Sequence, residues 1–188
     1  MTFEVALWYE PEPISKEEAR DRYRKAELSP EISAALAAAL PGATVDGALV
    51  SAPDEAVDEV GNAAFAFARE HGLVCYDARR HLIHNREPLG AYREVQLHTG
   101  DGVVVHDPDL NLVNDVLETL SAENPFMALV VYGAHFIQVS PGYEVDFKED
   151  GVIRSTVTPD KEQVRRMVLL YLVGDRSFLD AHEWTVRG

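Results

Sequence analysis

Between Asn124 and Thr158 the chain alternates short β-type runs with turn signals, a pattern that commits this third of the protein to an antiparallel meander. The runs cover residues 126–132, 135–140, 143–148 and 152–158. They are parted by Gly133-Ala134, Pro141-Gly142 and Glu149-Asp150-Gly151. In the third run Tyr143, Val145 and Phe147 alternate with Glu144, Asp146 and Lys148, so one face is apolar and the other charged. A sheet of this kind is more often a binding surface or solvated exterior than an active site.

The flanking sequence adds helices and further strands. Residues 3–10 alternate Phe3, Val5, Leu7 and Tyr9 with Glu4, Ala6, Trp8 and Glu10, and Pro11 and Pro13 end that strand. Ser15 and Glu18 form a capping box that opens a polar helix reaching about Glu27. Ser29-Pro30 starts a second helix, which Pro41-Gly42 stops. A strand is expected over residues 45–51. Asp54 then caps a helix with the stripe Val57, Val60, Ala64 and Phe67, ended by Gly72. Residues 73–76 and 81–84 flank a turn and complete a βααβαβ unit. The Pro88 and Gly90 stretch marks a seam, dividing the chain into residues 1–90 and 91–188. Beyond it, residues 94–98 and 103–106 pair across a turn. Asp107-Pro108 caps a helix carrying Leu110, Val113, Val116, Leu117 and Leu120. After the meander, Thr158-Pro159 starts a last helix with Val164, Met167, Val168 and Tyr171 on one face. Gly174 ends it, and Phe178 and Trp184 fold back onto the core. The fold class is α+β, the second half being the meander with two helices.

Charge narrows the range of partners. The 188-residue chain has a formal net charge of -15. The acidity is spread, with 10 Lys/Arg against 17 Asp/Glu up to Glu94 and 7 against 15 from Val95 onward, so no acidic tail exists. Such a chain repels nucleic acid and anionic membrane. The acidity either attracts a basic partner or only maintains solubility. Cys75 is the only cysteine and lies in an apolar run, so an internal disulfide and a Cys-rich zinc site are excluded, and a buried, inert thiol is expected. Met1-Thr2-Phe3-Glu4 lacks a basic and apolar leader pattern, and no apolar run reaches membrane-spanning length. The cytoplasm is the expected compartment.

Chemistry-bearing motifs are sparse. Asp107, Asp109, Asn111, Asp115 and Glu118 follow calcium-loop spacing, but Leu112 stands where that loop requires glycine. The same residues suit a capped amphipathic helix. His98 and His106 approach across the 99–102 turn with Asp107 beside them, a set that supports a metal-assisted hydrolase as the alternative function. There is no Gly-x-Ser-x-Gly elbow and no Gly-rich phosphate loop. The basic residues at 20–25 are interleaved with acids, which makes a solvated helix face. No catalytic residue, metal ligand set or cofactor site stands out. The candidate partner-binding residues are Glu144, Asp146, Glu149, Asp150, Gln138 and Trp184, with Arg154 and Thr156 expected to share the charged face.

The order of these elements resembles a known family. The carrying segments are the strand and acid-capped helix from Val104 to Leu120, then "NPFMALVVYGAHFIQVSPGYEVDF", "TPDKEQVRRMVLLYLVGD" and a late "EW". They are similar to the mostly β immunity proteins of bacterial polymorphic toxin systems, a family often encoded beside deaminase-type toxins. A late Trp after the final helix is typical of it, and Trp184 matches that position. The resemblance covers the second half of the chain. It implies a stoichiometric inhibitor that occludes a cognate, basic toxin domain and performs no catalysis. The segments "VALWYEPEPISKEEA" and "AREHGLVCYDARRHLI" resemble the N-terminal parts of actinobacterial proteins to which the likeness assigns no activity.

Overall fold

The protein, described here from a computed structural model covering residues 1–86 and 94–188, forms two compact units, Met1–Glu87 and Pro88–Gly188. The seam expected at Pro88 and Gly90 lies outside the described residues. Both units combine helices with an antiparallel sheet, so the class is α+β.

The first unit contains β1 (Thr2–Trp8), α1 (Lys16–Arg22), α2 (Pro30–Ala39), β2 (Thr44–Asp46), β3 (Leu49–Pro53), α3 (Val57–His71), β4 (Val74–Asp77) and β5 (Leu82–His84). Its sheet runs β2-β3-β1-β4-β5. Register places Val5 beside Val50 and Asp77, and this face lies under α3. The opposite face carries Ala6, Tyr76 and Ile83, packed with Ile14 and Ala19. The sheet is therefore covered on both sides. Buried Asn85 acts as an extra rung, accepting from Ile14 N at 3.0 Å and donating to Ile14 O at 3.0 Å. Fully buried Asp77 accepts from Arg80 Nη1 at 3.0 Å and from the Arg80 main chain at 2.9 Å. Arg80 also reaches Asp58 at 2.9 Å, and Arg79 reaches Asp54 at 3.2 Å. These pairs moor the β4–β5 turn to the start of α3.

Several boundaries differ from expectation for local reasons. The single strand expected over 45–51 is a hairpin, because Asp46-Gly47 forms a turn with Gly47 at φ +59°. Asp54 opens a short 3₁₀ turn, and α3 begins after Ala56 without a side-chain cap. The capping box at Ser15 and Glu18 is present, but its α-helix ends at Arg22 and continues as a 3₁₀ turn through Lys25. Asp109, not Asp107, caps the helix after the seam, accepting from Leu112 N at 3.0 Å. Asp160 rather than Thr158 caps the last helix.

The second unit comprises β6 (Gln96–Thr99), β7 (Val104–His106), α4 (Leu110–Glu118), β8 (Met127–Val131), β9 (His135–Ser140), β10 (Glu144–Glu149), β11 (Val152–Val157), α5 (Lys161–Leu172) and β12 (Thr185–Arg187). The sheet order is β12-β11-β10-β9-β8-β6-β7, so the expected meander β8–β11 forms its centre. Gly133, Gly142 and Gly151 hold φ of +76°, +82° and +77° at its three turns, a region that costs glycine nothing. Across the sheet, Val105, Leu97, Leu129, Ile137 and Phe147 stand in one row and are at most 1% exposed. Tyr171 of α5 packs edge-on against Phe147, and Phe178 does so from the segment after α5. Helices α4 and α5 are joined by Glu118, which accepts from Lys161 at 2.8 Å and from Arg165. Gly100 sits so near Pro125 that a Cβ there would come within 2.4 Å of the proline ring. Among the described residues, no helix is long and apolar enough to cross a membrane.

Candidate partner-binding face

Strand parity separates the residues of the second sheet into two sets. The row through Phe147 and the rows two residues away face α4 and α5. The other set reads His106, Gln96, Val130, Phe136, Lys148, Ile153 and Arg187 in one row, and Val104, His98, Ala128, Gln138, Asp146, Ser155 and Thr185 in the next. Glu144 and Val157 pair in the row beyond. Neither α4 nor α5 lies on this outer face.

Of the sequence candidates, Glu144, Asp146 and Gln138 share the outer face, with Gln138 directly opposite Asp146. Both acids are engaged. Arg187 Nη2 donates to Glu144 at 2.5 Å, Arg187 Nη1 lies 3.6 Å from Asp146, and Ser155 also donates to Asp146. With Lys148 added, the face carries two acids and two cations, so it is electrically balanced. Glu149 has the parity of Phe147 and lies on the helix side, as do Arg154 and Thr156. Asp150 occupies the exposed β10–β11 turn at φ +53°. Trp184 packs against Phe178 at 6.1 Å between ring centroids, and its indole N–H is buried without a hydrogen-bond partner among the described residues.

The helix-side edge holds a charged clasp. Arg176 donates to Glu149 at 2.8 and 3.1 Å while its guanidinium stacks over Phe147 and Tyr171 at 5.3 and 5.2 Å. Hydrogen bonding from Arg176 holds the Glu149 carboxyl below its ordinary range. His135 Nδ1 lies 2.8 Å from the Tyr171 hydroxyl, and burial, reinforced by Arg176, lowers the His135 pKa. Both shifts act in the same direction. The unfolded chain binds protons more readily than the folded one, so stability is full above the ordinary histidine value near 6.5. It falls as pH drops through the lowered His135 pKa, and again below the ordinary carboxylate value near 4.5 as Glu149 is protonated. Thermal melts between pH 7.5 and 5 should therefore show a falling Tm, and His135→Gln should flatten the upper part of that slope. A wild-type Tm that does not change over this range would contradict the assignment.

Sequence reasoning did not single out the aromatic end of the outer face. Tyr132 is 67% exposed, sits edge-on to His98, and places its hydroxyl 3.3 Å from His98 Nε2. Gln96 Oε1 lies 3.0 Å from the same nitrogen, and burial together with the nearby His106 lowers the His98 pKa. Val130 and Phe136 are half-buried beside them. The parity of β8 and β9 was the available signal, since Val130 and Tyr132 alternate with Leu129 and Val131. His98 and His106 do share a face, diagonal to each other across the β6–β7 hairpin. Among the described residues, no group of three or more His, Cys, Asp or Glu side chains is placed to hold a metal ion. Comparison of the chain with protein-family models, curated proteins and solved structures finds no match.

Proposed function

We propose that this chain is a non-enzymatic binding protein that neutralises a basic bacterial toxin domain by stoichiometric occlusion, with the outer face of the second sheet as its docking surface. The observation that supports this reading is the composition of that face. It is an antiparallel surface left bare by α4 and α5, with exposed Tyr132 and half-buried Val130 and Phe136 at one end. Imidazole, amide and paired charges surround them. Aromatic anchors within a polar rim are what interfaces use, and the chain's net charge of -15 would accelerate encounter with a basic partner. The likeness of the second half to immunity proteins points the same way.

The test is a pull-down of tagged protein from its native lysate at low and then high salt. Recovery of one small basic protein in equal amount, weakened by salt, is the expected result. Tyr132→Ala should weaken the recovered complex by about 2 kcal/mol, the loss at which an aromatic anchor counts as a hot spot. Recovery of nothing from a lysate that contains the neighbouring gene products would defeat the proposal.

A further inference from the structure

We propose that β12 is a displaceable edge strand, and that Arg187 occupies in the free protein the place of an arginine on an extended, basic segment of the binding partner. The inference rests on the binding reading above only for who supplies that segment. Three observations support it. First, among the described residues β12 pairs with only Ile153, Arg154 and Ser155, and all three of its own residues are exposed. Strand β11 runs on to Val157, and ladder parity turns the Val157 main-chain groups toward the same edge. Second, that unpaired edge opens into a groove of about 520 Å³ bounded by Ser155, Thr156, Val157, Gln163, His182 and Thr185. The groove gives an incoming strand room to start pairing before β12 departs.

Third, charge specifies the occupant. Arg187 is the cation at both Glu144 and Asp146 on the outer face, and its side chain is 52% exposed. The Arg187–Glu144 pair is exposed at both members, 52% and 45%, and such a pair contributes little to stability, while the more enclosed Asp146 also accepts from Ser155 of β11, so exchange is easy. When β12 lifts, two carboxylates lose their cation beside an open strand edge. A strand bearing arginine restores both the ladder and the charge balance. It also pairs along the whole of β11 where β12 pairs along part of it.

The test uses the full chain and a synthetic peptide of alternating arginine and valine, as long as β11, followed by the emission of Trp184 in a Trp8→Phe background. Arg187→Gln should bind the peptide roughly fivefold more tightly than the parent, the factor set by freeing the exposed pair with Glu144, the longer contact to Asp146 adding little. Arg187→Lys, which keeps the charge, should return affinity toward the parent value. Adding Glu144→Gln and Asp146→Asn to the Arg187→Gln chain should abolish the gain, with thermal melts showing that the variants remain folded. Equal affinity of the parent and Arg187→Gln chains, or a gain that survives loss of both carboxylates, would overturn the inference. The peptide is independent of the lysate experiment. Binding here with no partner recovered there would therefore count against toxin neutralisation while leaving strand exchange standing.

Discussion

Phe147→Ala is expected to destabilise the second unit by about 3–5 kcal/mol, the range for removing a large aromatic from a packed core. Phe147 is fully buried and is shared by three elements. It sits in the central row of the sheet, Tyr171 of α5 meets it edge-on at 6.2 Å, and Phe178 meets it at 5.3 Å. Arg176 covers it as well. The cavity would thus lie where sheet, helix and the segment after α5 converge, and none of the three can close it without leaving its other contacts. Urea unfolding followed by Trp184 emission checks the value. A loss below about 1 kcal/mol would mean that the site collapses freely and that the segment after α5 is less firmly seated than its contacts indicate.

The second large effect belongs to the first unit. Asp77→Ala removes the buried carboxylate that accepts two hydrogen bonds from Arg80, and it should cost about 3 kcal/mol. The change takes the buried ion pair from a guanidinium that is 12% exposed, while Asp58 keeps its contact to it at 2.9 Å. That retained contact is why the expectation stands at the low end for a broken buried pair. Trp8, 5% exposed in this unit, reports the transition in a Trp184→Phe background. Asp58→Ala, on the exposed side of the same arginine, should cost less than about 1 kcal/mol. A reversed order of the two effects would show that the solvent-side pair anchors the turn.

Much of this architecture can be read from the sequence, and the failures have specific causes. The meander was legible because short β-type runs follow one another, the third alternating apolar with charged residues, and each turn carries glycine. The β2–β3 hairpin was missed although Asp46-Gly47 stood inside the run, because the apolar residues on both sides suggested one continuous strand. Strand β12 gave no signal at all. Thr185, Val186 and Arg187 are exposed and owe their extended form to pairing with β11 rather than to burial.

Glu144 and Asp146 were correctly assigned to the charged face, yet nothing in the sequence shows that Arg187, 43 residues from Glu144, would neutralise them. Glu149 is a different case. Its parity with Val145 and Phe147 already placed it on the helix side, and only its charge and its position in a turn argued otherwise. The aromatic end of the face escaped because Tyr132 precedes a turn glycine and reads as a strand terminus.

Among the described residues, each of the four edge strands β2, β5, β7 and β12 is three residues long. While β12 stays paired with β11, the truncated edges offer a neighbouring molecule too few main-chain groups to template lateral growth. Strong net negative charge adds mutual repulsion between copies. Colloidal behaviour should therefore depend on acidity. Near the isoelectric point of about 4.8 the repulsion vanishes, leaving strand length as the remaining guard against fibrils. Precipitate formed there should be amorphous and should redissolve at neutral pH.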